Sequence, residues 1–377
     1  MYDVIVAGAG PAGSTAAIVL AKQGLRTLLV DRENFPREKA CGDAVPAPCF
    51  KILKDLGVNI TESDEFFAVN KVFVKGPRGT NITLGLHEQQ GMEPGIVSRY
   101  VFDRAIYDQA LANGAEFCNI SVVGPLVENG RVVGVKAKQG KEEVDYRAKV
   151  VIAADGATSS IARALSGAPR SDKHTAIALR GYVESTVDLD PTIDLVFLSE
   201  VQPGYAWFFP INKRVANIGV GMSSEKYKKQ DKTLQDMLDI YLKTAEVASR
   251  VGQNPVTGLK SWQLPLNVIA PKRVYDGALL VGDAGGFVDP LTGAGIYQAV
   301  VTGKRAAEAA IAAIKKDDLS AQGLALYDNL WRQDIGAEIK RSATSYRLLG
   351  MMPSLMDGLL VAARAFPSLV PYVIGKI

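Results

Sequence analysis

Gly8-x-Gly10-x-x-Gly13 stands between an apolar run, residues 4–7, and an alanine-rich stretch, residues 14–22. This spacing suits a pyrophosphate. The first glycine permits a tight turn, the second lets the backbone approach the anion, and the third allows a helix to pack closely on a strand. The helix N-terminus then faces the negative charge. Asp31 ends the next apolar run, residues 27–30, where a carboxylate can accept hydrogen bonds from both hydroxyls of a ribose. An acid there disfavours a 2′-phosphate, which leaves FAD or NAD.

A second glycine site chooses between them. Leu280-Val281-Gly282-Asp283-Ala284-Gly285-Gly286 follows another apolar run, and Asp289-Pro290-Leu291-Thr292-Gly293-Ala294-Gly295-Ile296 opens a helix. Asp283 can hold a polyol hydroxyl, and a helix starting at Gly295 and Ile296 can stabilise an anionic ring. FAD has the ribityl chain and the anionic reduced ring that use those two features; NAD has no ribityl chain. Ala154-Asp155-Gly156-Ala157-Thr158-Ser159-Ser160 forms a third element of strand and turn. Taken singly, the last two also read as a capped helix and an Asx turn.

Two more segments carry chemistry. Cys41 lies in Arg37-Glu38-Lys39-Ala40-Cys41-Gly42-Asp43-Ala44. Tyr205, Trp207 and Phe209 recur at a period of two, which puts three rings on one face of a strand. Such a ladder is a flat apolar wall with two polar tips, able to align a long chain or simply to pack a core. Ala216-Asn217-Ile218-Gly219-Val220-Gly221 follows it.

The elements that must position these residues alternate in kind. Residues 4–7, 14–22 and 27–30 form a βαβ unit with Gly24 closing its helix. Residues 69–74 and 81–86 read as a hairpin around Gly-Pro-Arg-Gly at 76–79, and 102–113 as an amphipathic helix. Strands are expected at 132–135, 146–153, 176–183, 195–198, 205–209, 215–220 and 278–281. One helix is expected over 226–251, another over about 296–314, and 325–377 reads as helical. The fold class is therefore α/β: a discontinuous Rossmann-like FAD domain (1–64, 93–170, 272–325), an inserted antiparallel β-rich substrate domain (65–92, 171–271) and a C-terminal helical segment (326–377).

The order of the three glycine elements resembles the flavoprotein superfamily that includes p-hydroxybenzoate hydroxylase. The Cys41-Gly42 pair, Tyr205-x-Trp207-x-Phe209-Pro210 and Asn217-x-Gly219-x-Gly221 narrow this to a resemblance to the geranylgeranyl reductase family. The sequence departs from the family pattern at Gln202, where a proline is usual, and at Asp43. The resemblance implies a flavoenzyme that uses reduced FAD to saturate double bonds in long isoprenoid chains. It implies that Gly13 and Asp31 serve the adenosine half, and that the Val122 backbone passes the adenine. Cys41, Gly42 and Ala44 would lie near the flavin, Arg99 near the pyrophosphate or ribityl chain, and Asp283, Gly295 and Ile296 would complete the site. An aromatic hydroxylase of the superfamily, or a flavin redox protein without turnover, is the alternative. A halogenase is disfavoured by Tyr205, since halogenases show Trp-x-Trp-x-Ile-Pro.

An isolated trisubstituted alkene is a poor hydride acceptor, so reduction needs a proton as well. Cys41 and the Tyr205 hydroxyl are the candidate acids. No second GxGxxG turn is present, so electrons are expected from transiently docked NAD(P)H or from a protein donor such as ferredoxin.

Composition excludes other classes. Lys+Arg 43 against Asp+Glu 40 gives a net charge of +3, too balanced for a nucleic-acid binder that works by charge. Three cysteines and two histidines, with no CxxC pair, argue against a disulfide framework and against a metal site. His87 and His174 read as surface or structural. A cytoplasmic location is expected, with no secretory leader. Apolar stretches at 348–353, 359–361 and 366–374 suggest contact with the inner face of a membrane, or else a cover for the FAD domain or a dimer contact.

Overall fold

The computed structural model describes residues 1–86, 88–89, 91–140, 142–167, 172–266, 272–352 and 355–366. His87 and most of the apolar run 366–374 lie outside the described residues. Two sheets dominate. In the first, Tyr2–Ala7 lies between Thr27–Asp31 and Glu142–Ala153, all parallel. Glu116–Asn119 extends one side and Ala278–Leu280 the other. Val4, Ile5, Val6 and Ala7 are wholly buried, as expected of a parallel strand covered on both faces.

Helix Pro11–Lys22 packs beneath this sheet against Ile296–Lys316 and Arg99–Ala112. The first crossing is close because Gly303 has no side chain: a Cβ there would sit 2.1 Å from the Ala12 carbonyl oxygen. The helix of the first βαβ unit and the much later helix Ile296–Lys316 are thus locked together through a glycine contact.

The second sheet runs Thr257–Pro265, Thr175–Glu184, Val215–Ser223, Gly204–Pro210, Thr192–Val196, Lys71–Lys75, Asn81–Gly85. The hairpin expected at 69–86 forms, and Lys71–Lys75 also pairs in parallel with Thr192–Val196. Alternation sorts the faces. Ala206, Phe208, Ile218 and Val220 pack under Leu234, Met237, Leu238 and Tyr241, while Trp207 and Phe209 belong to a separate cluster on the other face.

The single helix expected over 226–251 is instead Ser224–Tyr227, Leu234–Leu242 and Ala245–Val251. Thr233 starts the second piece with a capping box: its hydroxyl accepts from Asp236 N–H, and the Asp236 carboxylate accepts from Thr233 N–H. Thr257–Pro265, for which no strand is expected from sequence, is one of the sheet's two edge strands. The C-terminal segment is helical at Leu326–Trp331, Ala337–Met351 and Leu355–Ala365, with one wider π turn at Arg332–Gly336.

Candidate active site

A cavity of about 1170 Å³ lies between the two sheets, from Asp31 at one end to the aromatic strand Gly204–Pro210 at the other. The end beside Asp31 is shaped by glycine. Gly8 has φ +105°, and a Cβ there would meet the Ala154 carbonyl oxygen at 2.2 Å. A Cβ at Gly13 would meet the Gly8 oxygen at 1.7 Å. Asp31 is held ready: Ala9 N–H donates to its Oδ2 at 2.8 Å and Glu33 N–H to its Oδ1 at 3.0 Å. The Asp155 carboxylate accepts from Ser160 N–H at 2.9 Å, and the Ser160 hydroxyl donates to the Val122 carbonyl at 3.2 Å. The Asp-Gly element thereby fixes the Val122 backbone beside the cavity.

Arg37 points at the glycine turn, with Nη2 3.5 Å from where a Cβ on Gly10 would be. Its Nη1 lies 3.1 Å from Asp103 Oδ2. Arg99 makes a bidentate pair with the same carboxylate, 2.7 Å at each oxygen. Asp103 is fully buried, so one carboxylate fixes two guanidinium groups on the cavity wall. Arg99 thus borders the cavity with part of its donor set already engaged.

Further along the cavity wall, helix Ile296–Lys316 starts without a side-chain cap. Its first N–H groups are left for a ligand beside Gly293 and Gly295. Asp283 Oδ1 lies 3.5 Å from where a Cβ on Gly295 would be. Ala44 pairs with Ile96 in a short ladder that carries the Cys41–Asp43 turn to the wall. A bare turn, an oriented carboxylate, neighbouring cations and an uncapped helix start are a fitting donor set for FAD.

The aromatic ladder forms as expected. Ring centroids are 6.1 Å apart for Tyr205 and Trp207 and 6.3 Å for Trp207 and Phe209, and Phe197 extends the row at 5.9 Å from Tyr205. Leu349 and Met356, from the C-terminal helices, also line this end. The Tyr205 hydroxyl donates to the Thr292 carbonyl, and burial pushes its pKa up.

Burial also raises the pKa of the Cys41 thiol, against the pull of Arg99; Asp43 N–H donates to its sulfur at 3.3 Å.

Several contacts at the site join segments remote in sequence. Trp207 Nε1 donates to Asn217 Oδ1 at 2.9 Å. Asn217 Nδ2 donates to the Cys41 carbonyl at 2.7 Å and to Asp43 Oδ2 at 2.8 Å. Tyr182 OH donates to the same Asp43 oxygen at 2.9 Å. Burial raises the Asp43 pKa, although these donors pull it down. Lys39 extends along the cavity with its ammonium 3.1 Å from the Trp262 ring centroid. Burial pushes its pKa down to about 7, while Asp283 opposes the shift. Asp103 was legible as the partner of Arg99 one helical turn on; Asn217 and Lys39 stood inside noted motifs, but their partners are remote in sequence.

Among the described residues, no helix is long and apolar enough to cross a membrane and no cluster of His, Cys, Asp or Glu suits a metal ion.

Comparison with known proteins supports FAD as the cofactor. Residues 1–335 match the FAD binding domain family. A digeranylgeranylglycerophospholipid reductase of Methanosphaerula palustris is 35% identical over 344 residues, covering 88% of this chain and 82% of that protein. One of Thermoplasma acidophilum is 32% identical over 360 residues, covering 93% and 88%. Among solved structures, a geranylgeranyl bacteriochlorophyll reductase-like protein of Thermoplasma acidophilum superposes with a TM-score of 0.85 at 28% identity, covering 100% of this chain and 99% of that one. A flavin-dependent brominase shares the fold at a TM-score of 0.76 and 24% identity, covering 99% and 93%. The chain belongs to the geranylgeranyl reductase family of FAD-dependent oxidoreductases.

Proposed function

We propose that this flavoenzyme saturates the isolated double bonds of geranylgeranyl chains carried on a glycerol-linked lipid. The aromatic row Phe197–Tyr205–Trp207–Phe209, which faces the same cavity as the Cys41-Gly42 turn and the start of helix Ile296–Lys316, carries this reading. Bound and reduced, FAD supplies the hydride. The residues of the chain supply the rest. The rings exclude water from the alkene, and their faces stabilise positive charge developing on its tertiary carbon. Cys41 holds the proton that goes to the other alkene carbon; burial keeps its thiol protonated at neutral pH. Tyr205, whose proton is engaged with the Thr292 carbonyl, serves the wall and steadies the loop before helix Ile296–Lys316.

The C-terminal helices support a route for lipid access. Leu349 and Met356 line the cavity, while Leu348, Met351, Met352, Val361 and Phe366 on the same segment are exposed. These outward residues rest on a lipid surface and bring the chain's tail to the cavity. Electrons reach the flavin from NAD(P)H or a reduced protein carrier.

The test is anaerobic. The flavin is reduced with dithionite and mixed with a digeranylgeranyl glycerophospholipid. Reoxidation is expected in the wild-type chain and in Tyr205→Phe, and is expected to be slowed at least tenfold in Cys41→Ser, whose hydroxyl is a much weaker acid. Equal rates in wild type and Cys41→Ser would remove Cys41 as the acid.

A further inference from the structure

The Asn-x-Gly-x-Gly strand and the aromatic strand form one device. In their antiparallel register Trp207 stands opposite Gly219, with Tyr205 opposite Gly221 and Phe209 opposite Asn217. The Trp207 indole does not rise from the sheet. It lies along the neighbouring strand: a Cβ on Gly219 would sit 2.2 Å from its Cζ2 and 2.5 Å from its Cη2. A Cβ on Gly221 would sit 3.7 Å from its Cζ3. Ordinary carbon–carbon contact needs about 3.5–4.0 Å, so any side chain at 219 drives the ring outward by on the order of 1 Å or more.

The other end of the ring is pinned by Asn217, which is fully buried and accepts from Trp207 Nε1 at 2.9 Å. The same amide donates to the Cys41 carbonyl and to Asp43. Across the indole, a Cβ on Gly42 would lie 3.1 Å from the Phe209 ring and 3.6 Å from Trp207 Nε1. The indole therefore occupies a slot of bare backbone floored by Gly219 and Gly221, with its nitrogen tethered at one end.

We propose that Asn217 and Gly219 fix the plane of Trp207 against the sheet and thereby set the depth of the apolar cleft. In this reading Gly219 is a specificity-determining residue and Asn217 a positioning residue that acts through the indole. The proposal rests on the reading of the substrate as a methyl-branched isoprenoid chain. A flat indole leaves room for the branch methyls beside the Cys41-Gly42 turn; a raised one fills that room.

The test uses the FAD-loaded full-length chain and a dead-end probe, the saturated diphytanyl glycerophospholipid, with binding read from the absorbance change of the bound flavin. Gly219→Ala is expected to weaken probe binding about tenfold while FAD retention is unchanged. In a Trp207→Phe background, which has a smaller ring and no N–H, the same Gly219→Ala change is expected to cost less than about twofold. Equal losses in both backgrounds would overturn the proposal. They would place the effect in the sheet, where a Cβ on Gly219 also meets the Leu179 carbonyl oxygen at 2.4 Å.

Asn217→Ala, which adds no atoms, covers the case in which Gly219→Ala fails to fold. It is expected to weaken the probe roughly tenfold and to change the tryptophan emission, with the emission change absent in the Trp207→Phe background. Unchanged emission and unchanged binding would overturn the proposal. A wild-type chain that binds no prenyl or phytanyl compound would sink the substrate reading, and with it the claim of chain fit. The emission arm reports the fixing of the indole apart from any substrate.

Discussion

The amide nitrogen of Asn217 lies 2.8 Å from Asp43 Oδ2, across the boundary between the wall strand and the Cys41-Gly42 turn. Tyr182 makes a second donor to the same oxygen, so two β-strands grip the loop through one buried carboxyl group. Tyr182→Phe removes one donor and is expected to cost about 1–3 kcal/mol of stability, measured by denaturant unfolding.

Asp43 also makes stability depend on pH. Its pKa is raised by burial, so the folded state prefers the protonated form relative to the unfolded chain. That contribution is full below the ordinary carboxylate range and is lost as pH rises through the folded-state value. Asp43→Asn removes the titration. The stability of the wild type relative to Asp43→Asn is therefore expected to fall with rising pH. A rise would show that the donors outweigh burial.

Lys39 acts with the opposite sign. Burial pushes its pKa down to about 7, against about 10.4 for an unburied lysine. The folded state thus prefers neutral Lys39. Its contribution is full above the unfolded value and is lost as pH falls through about 10 to 7. Thermal unfolding of flavin-free wild type and Lys39→Met is expected to show the wild type gaining on the variant as pH rises from about 7 to about 10. Parallel curves would mean that the ammonium is solvated.

Asp31 is expected to govern cofactor retention. Its two oxygens are oriented by Ala9 and Glu33 N–H groups before any ribose arrives. Asp31→Ala removes charged hydrogen bonds of about 1.5–3 kcal/mol, a loss of roughly ten- to a hundredfold in FAD affinity by flavin-fluorescence titration. Gly13→Ala is expected to retain no flavin, because its Cβ would stand 1.7 Å from the Gly8 oxygen.

Membrane contact is tested on the outward residues of the C-terminal helices. Met351 and Met352 are 71% and 59% exposed and Phe366 is 64% exposed. Replacing all three by lysine is expected to reduce co-sedimentation with neutral phospholipid vesicles severalfold while leaving the flavin spectrum unchanged. Equal sedimentation would remove these residues from the contact.

The glycine turns were legible from sequence because each enforces a backbone property that only glycine has. Gly8 at φ +105° and Gly13 against the Gly8 oxygen are examples. The aromatic row was legible because period two decides which side chains share a face. Asn217 was visible in its motif but its role was not, since Cys41 and Asp43 are brought to it only by the packing of two distant segments. Residues 226–251 misled because Leu234, Leu238 and Tyr241 keep helical spacing, while the restart at Thr233 is announced only by its capping pair with Asp236. Thr257–Pro265 is largely exposed and lacked the apolar pattern of a buried strand.

The central claim is that reduced flavin in this chain hands its electrons to a prenyl double bond. The most direct measurement is a single anaerobic turnover with a digeranylgeranyl glycerophospholipid, following flavin absorbance and product mass together. The expected result is a gain of two mass units for each flavin reoxidised. A flavin that stays reduced with every prenyl lipid, yet reoxidises rapidly with oxygen and hydroxylates an aromatic compound, would contradict it.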